Sequence, residues 1–351
     1  MDKISVQEAV ELLREMISIP SHSRDEKAVA DMIEKWLVAH GATPQRIDNN
    51  IILQGEREAG RPTILLNSHI DTVKPAAGYT IDPYTPTLEG DTLYGLGSND
   101  AGASVVSLLC AYSQLTQESQ PYNLIYACTA EEEVSGKNGI ELILPTLGDI
   151  DLAIVGEPTQ MQMAVAEKGL MVLDCTAKGK SGHAARNEGI NAIYEAMKDI
   201  EWFRTYTFPR VSEYLGAVKM SVTMIEAGTQ HNVVPDTCKY VVDVRVNEKY
   251  SNSELLELIK GEVKSEVKER STRLNSSAID SRHAIVQRGE SLGLSCFGSP
   301  TMSDQALMPF TSIKIGPGDS ARSHTANEYI RLTEIAQGVE TYVTLLHQLK
   351  L

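Results

Sequence analysis

The stretch Thr63-Ile64-Leu65-Leu66-Asn67-Ser68-His69-Ile70-Asp71 decides the fold of this chain. Its first half is a short apolar run without a charge, the mark of a strand buried on both faces in a mostly parallel sheet. Its second half changes at once to a histidine and an aspartate. In an open α/β sheet, ligands bind outside the carboxyl ends of the strands, which is where this change falls.

The same pattern recurs outward from that stretch. Residues 51–54, 124–129, 152–155 and 311–315 read as further strands, and 26–40 and 103–115 as amphipathic helices between them. The fold class is therefore α/β, with a doubly wound, mostly parallel sheet. Residues 169–280 have a different rhythm. Strands are expected at 170–177, 219–226 and 237–247, helices at 189–203 and 251–270, and a closing strand at 273–277. That is β-α-β-β-α-β, a split, ferredoxin-like unit. Because α/β character resumes near 283, the expected division is 1–168 and 281–351 in one domain, with 169–280 inserted.

At 351 residues, about two domains of roughly 150 residues each are expected. Hydrophobic residues at 42% and charged residues at 23% exclude a disordered or fibrous chain. A net charge of −15, from 47 acidic against 32 basic residues, argues against a general nucleic-acid or anionic-membrane surface. Cys110, Cys128, Cys175, Cys238 and Cys296 are scattered, odd in number and contain no CxxC pair. They read as buried thiols in a reducing compartment. The N-terminus has helical apolar spacing rather than a signal-peptide core, and no run approaches the ~18 apolar residues of a membrane span. A cytoplasmic protein without a membrane or nucleic-acid partner is expected.

Two apparent nucleotide motifs fail. Gly179-Lys180-Ser181 has Asp174 where a phosphate loop needs its first glycine, and Gly95-Leu96-Gly97-Ser98-Asn99-Asp100 has Asp100 where a third glycine belongs. The informative segments are 68–73, 95–100, Thr129-Ala130-Glu131-Glu132-Glu133, Val155-Gly156-Glu157-Pro158 and Ser323-His324-Thr325-Ala326-Asn327-Glu328. Singly, each has a plain reading as a polar loop, a solvated helix start, a turn or a surface histidine. Together, in order and mostly after strands, two histidines and several carboxylates make a mixed N/O metal site suited to zinc, cobalt or manganese. His69 and Asp71 are two apart, so in extended chain they point the same way, and Asp71 can accept the second ring N–H of a metal-bound His69. Glu132 and Glu133 are adjacent and in extended chain point apart, leaving one to ligate and the other to move a proton.

This set of segments resembles the co-catalytic metallo-aminoacylase and carboxypeptidase family, of the acetylornithine deacetylase and succinyl-diaminopimelate desuccinylase type, over nearly the whole chain. The resemblance implies one metal at His69, Asp100 and Glu157 and a second at Asp100, Glu133 and His324, with Asp100 bridging. It makes Glu132 the general base and Asp71 the supporting carboxylate. In the insert, His183 of Ser181-Gly182-His183-Ala184-Ala185 matches a histidine that reaches the partner subunit's active site and polarises the scissile carbonyl. Asn232, Arg245, Gly316 and Gly318 match substrate-contacting positions. Two departures stand out. The family's Met-Lys-Gly after the bridging aspartate is here Ala101-Gly102-Ala103, and the usual aspartate before the two glutamates is Glu131.

The resemblance thus implies a two-zinc or two-cobalt hydrolase whose bridging hydroxide attacks the amide of an N-acyl amino acid, with Glu132 moving the proton. The expected substrate is N-acetylornithine, in arginine biosynthesis, and the expected assembly is a homodimer through the insert. N-succinyl or N-acetyl derivatives of citrulline, lysine or diaminopimelate are alternatives. So are a dipeptidase or aminopeptidase activity and a non-catalytic metal-binding dimerisation module.

Overall fold

The computed structural model describes all 351 residues. They form two compact units: Met1–Val165 with Ala278–Phe297 and Ser303–Leu351, and Ala166–Ser277 with Gly298–Met302.

The first unit is built on a mixed sheet in the spatial order Gln45–Ile47, Asn50–Gln54, Asn123–Thr129, Thr63–His69, Leu152–Val155, Ser312–Lys314 and Met163–Glu167. The central pairings are parallel and the outer ones antiparallel. All seven residues of Thr63–His69 are buried. Their side chains alternate between two apolar layers, Ile64 and Leu66 in one and Leu65 in the other. The first layer lies under helices Val6–Ile17, Ala103–Leu115 and Leu332–Leu346, and the second under Ile140–Leu147. Helix Val6–Ile17 starts on a reciprocal cap between Ser5 and Glu8, which satisfies backbone donors that helix hydrogen bonds leave free. Helix Ala103–Leu115 has almost every side chain buried, so it sits inside the layer rather than on it.

The second unit is an antiparallel sheet in the order Lys219–Ala227, Thr237–Val246, Gly169–Lys178, Glu266–Glu269, carrying helices Ala192–Thr205 and Asn252–Glu262. Its chain order is β-α-β-β-α-β. Cys238, Tyr240, Val242, Val244 and Val246 alternate inward along one strand. The closing strand is Glu266–Glu269, earlier than the 273–277 expected from sequence, and the preceding helix stops at Glu262 rather than 270. The cause is Asp199, whose carboxylate accepts the N–H groups of Lys264 and Ser265 at 3.1 and 2.8 Å and turns the chain out of the helix. The first helix of this unit begins at Ala192 rather than 189, because the Asn191 side chain caps the N–H of Ile193 at 2.9 Å. No helix is long and apolar enough to cross a membrane.

Candidate metal centre

Three parallel strands of the first unit deliver the site at their carboxyl ends. His69 is the last residue of its strand, Glu132 and Glu133 follow Thr129, and Glu157 follows Val155. Asp100 comes from the loop before helix Ala103–Leu115, and its peptide bond to Ala101 is cis.

Asp71 organises the first half. Its backbone carbonyl accepts the Nδ1–H of His69 at 2.9 Å, with its carboxylate 3.4 Å from the same nitrogen. The expected carboxylate–imidazole contact is thus shared with, and led by, the carbonyl. In the neutral ring the bond from Nδ1–H leaves the Nε2 lone pair for a cation. Without one, burial opposes the charged ring, but the Glu132, Asp100, Asp71 and Glu157 carboxylates hold it well above the usual imidazole range. The Asp71 carboxylate also accepts the N–H groups of Glu132 and Glu133 and the hydroxyl of Ser23. Burial opposes its ionisation, but these hydrogen bonds and the one from His69 hold it below the usual carboxylate range.

Glu132 and Glu133 are not in extended chain, as expected from sequence, but in a short 3₁₀ turn, Glu132–Val134. The two N–H bonds to Asp71 favour the turn. Glu131 precedes it with φ of 56° and is anchored by Asn138, whose Nδ2 donates to its carboxylate at 2.7 Å. Gly136 makes room for this longer acid, since a Cβ there would overlap the Glu131 carboxylate.

The second half belongs to Asp100. Its Oδ1 lies 3.3 Å from His69 Nε2 and its Oδ2 lies 3.6 Å from His324 Nε2. His69 Nε2 is also 3.6 Å from Glu157 and 3.9 Å from Glu132, and His324 Nε2 is 3.0 Å from Glu133. His69, Glu132 and Glu157, and again His69, Asp100 and Glu133, offer ligand atoms within 4.8 Å of one another. Buried His69 Nε2 and Glu157 Oε1 have no hydrogen-bond partner, a costly arrangement unless a cation meets them. Burial and the nearby Asp100 charge raise the Glu157 carboxyl to about 8, and burial with the Glu157, Asp304 and Glu133 charges raises that of Glu132 well above normal. Excess negative charge, unpaired ligand atoms and a mixed N/O donor set all fit divalent metal.

The family's lysine position is Gly102, and no side chain fits there. A Cβ would stand 2.5 Å from the Gly97 carbonyl and 2.6 Å from Leu13 Cδ1. Gly316 and Gly318 are buried against Glu157 and Asn99, where a Cβ would collide with the Glu157 backbone or the Asn99 side chain.

A family model described as peptidase family M20/M25/M40 matches residues 65–348. The chain belongs to that family. It is a family of hydrolases acting on amides, and this chain carries a His/Asp/Glu cluster that could hold metal. The chain is 27% identical over 359 residues to the LysW-lysine/LysW-ornithine hydrolase of Sulfurisphaera tokodaii, covering 99% of this chain and 97% of that protein. It is 27% identical over 284 residues to succinyl-diaminopimelate desuccinylase 2 of Ruegeria sp., covering 74% and 72%. The solved structure of aminopeptidase PepT from Bacillus cereus superposes with a TM-score of 0.78 at 19% identity over 99% of each chain. That of the Bacillus subtilis YXEP protein, described as a dinuclear metal binding peptidase, gives 0.73 at 16% identity over 97% of each.

In the second unit, His183 and Asn232 are neighbours. His183 pairs with Val233 across two short strands, and Ala184 N–H donates to the Asn232 carbonyl at 3.0 Å. Arg245 makes a two-pronged ion pair with Asp243 at 2.9 and 3.1 Å. Sequence reading gave no role to Ser23, Asn99, Asp304 or Glu328. Of these only Asn99 and Glu328 lay within a quoted segment.

Proposed function

We propose that this chain hydrolyses the amide of an N-acyl amino acid, with N-acetylornithine, a substrate of arginine biosynthesis, as the first candidate. The observation that carries the reading is Asp100 offering one oxygen toward each of His69 and His324. His69, Asp100 and Glu157 would hold one divalent ion, zinc or cobalt, and Asp100, Glu133 and His324 a second. Bound there, such ions supply Lewis acidity toward the amide carbonyl and toward water. Glu132 takes a proton from the attacking water and returns it to the leaving amine. Its carboxylate lies 3.9 Å from His69 Nε2, beside the proposed ligands. Asp71 keeps His69 and the Glu132–Glu133 turn in register.

His183 donates a hydrogen bond to the oxygen that gains charge during attack. In support, its Nδ1 accepts the N–H of Ala185 at 3.1 Å, so the neutral ring carries its hydrogen on Nε2. His183 serves the neighbouring subunit of a homodimer, formed by residues 169–280 acting as lid and dimerisation domain. Two surface features favour that assembly. Strand Lys219–Ala227 is an edge with Met224 and Ile225 exposed, and helix Ala192–Thr205 beside it exposes Tyr194 and Met197. Asn232, Arg245, Gly316 and Gly318 line the substrate.

The relative matched end to end is named for lysine and ornithine conjugates, which favours a diamino acid as the amine product. The test is a panel of N-acetyl and N-succinyl ornithine, citrulline, lysine and diaminopimelate, together with dipeptides, assayed with added zinc or cobalt. Turnover of an acylated diamino acid supports the proposal. Turnover of dipeptides alone assigns a peptidase, and bound metal without any turnover assigns a silent module.

A further inference from the structure

Glu328 is 2% exposed, yet no lysine, arginine or histidine lies in salt-bridge reach of its carboxylate. Its charge is met instead by backbone. Oε2 accepts the N–H of Gly97 at 3.0 Å, and Oε1 accepts those of Asn99 and Asp100, both at 2.9 Å. Its own carbonyl accepts the N–H of Gly95 at 3.0 Å. Four donors of one short loop thus converge on one residue. Asn99 ties the loop a second time, through the Asp319 N–H to its Oδ1 at 2.9 Å and its own Nδ2 to the Asp319 carbonyl at 3.1 Å.

The segment that grips the loop is also the segment that carries His324. Asp100 must present two oxygens in two directions, and side-chain torsions alone do not fix a carboxylate that finely. They can aim it only from a backbone that is itself held, and the pinned N–H groups of Gly97, Asn99 and Asp100 hold that backbone. A buried carboxylate this close to Asp100 costs like-charge repulsion, but only a carboxylate sets two acceptor oxygens against three N–H groups, where an amide would offer one oxygen and a donor.

We propose that Glu328 is a positioning residue: it fixes the backbone of Asp100 so that this one carboxylate spans both cation positions. The inference rests on the metal reading given above. It places a requirement for the site outside any ligand.

The test uses Glu328→Gln in the full-length protein, which keeps the shape but turns one acceptor into a donor facing N–H groups. Cobalt binding is followed by absorption titration of metal-stripped protein, alongside circular dichroism and steady-state kinetics. The expected result is native dichroism, cobalt affinity weakened about 10- to 100-fold, the range found when a group supporting metal ligands is lost. At saturating cobalt, kcat should fall with KM within about twofold. Wild-type affinity and kcat in a folded variant overturn the inference. If the variant does not fold, amide hydrogen exchange on the metal-stripped wild type decides. Protection of the Gly97, Asn99 and Asp100 amides before any metal is added supports positioning, and exchange at open-loop rates overturns it. Failure of the wild type itself to take up cobalt defeats the metal reading rather than this one.

Discussion

Asp71 accepts the backbone N–H of Glu132 on its Oδ1 at 3.0 Å. With the bond from Glu133 to Oδ2 and that from His69 Nδ1–H to the Asp71 carbonyl, one residue orients a proposed ligand and the proposed base together. Asp71→Asn should leave the chain folded and cut kcat/KM about 10- to 100-fold, with reduced metal content. Unchanged kinetics and metal content would show that the negative charge of Asp71 is dispensable.

Two groups whose protons a metal must displace show the pH dependence. Burial, helped by the Asp100 charge, raises the Glu157 carboxyl from 4.5 to about 8, and the hydrogen bond with Glu133 raises His324 from 6.5 to about 9. Both folded-state values lie above the unfolded ones. Their stabilisation of metal-free protein is full below about 4.5 and 6.5 respectively and is lost as pH rises through 8 and 9. Metal displaces both protons. Metal uptake at pH 7 should therefore release protons into a weakly buffered solution. The rise in Tm caused by cobalt should grow from pH 7 to pH 9. A rise that shrinks over that interval contradicts the assignment.

Gly102 tests why the family's lysine is missing. Gly102→Ala puts a Cβ against the Leu13 side chain and against the Gly97 carbonyl, a backbone atom that cannot yield without moving the Asp100 loop. A loss of about 1–3 kcal/mol in chemical denaturation is expected. A neutral substitution would mean that the loop adjusts freely.

Assembly is tested by complementation. Inactive His183→Ala mixed with inactive Glu132→Ala should regain activity on subunit exchange, because one site in each mixed dimer then has both residues intact. A mixture that stays inactive, or a fully active monomer, rules out a histidine acting across subunits.

Five strands of the sheet were legible because their runs are largely apolar and lead into polar segments, as at Leu66 to His69, whereas the polar edge strand Gln45–Ile47 and Met163–Glu167 were not read. Helix 103–115 was legible in full, since an apolar pattern bounded by Gly102 and Thr116 leaves little choice. What escaped depends on partners distant in sequence. The 3₁₀ turn at Glu132 exists because Asp71, 61 residues away, takes its N–H. The helix ending at Glu262 stops where Asp199, distant in sequence, takes the next N–H groups, and Gly261 is a local stop signal that the reading to 270 passed over. The quoted segments do converge, with His69, Asp100, Glu132, Glu133, Glu157 and His324 in one cluster. The three-way grip of Glu328 could not be read, because a glutamate gives no sign in sequence of which backbone it will hold.

The most direct test of the account compares Glu132→Gln with wild type for metal stoichiometry and turnover on the same samples. Two bound ions are expected in both proteins and turnover lost only in the variant, with substrate affinity largely kept, while Glu133→Gln loses metal. If Glu132→Gln loses metal as Glu133→Gln does, Glu132 is a ligand and not the proton carrier. If it keeps full turnover, the proposed chemistry at this cluster is wrong.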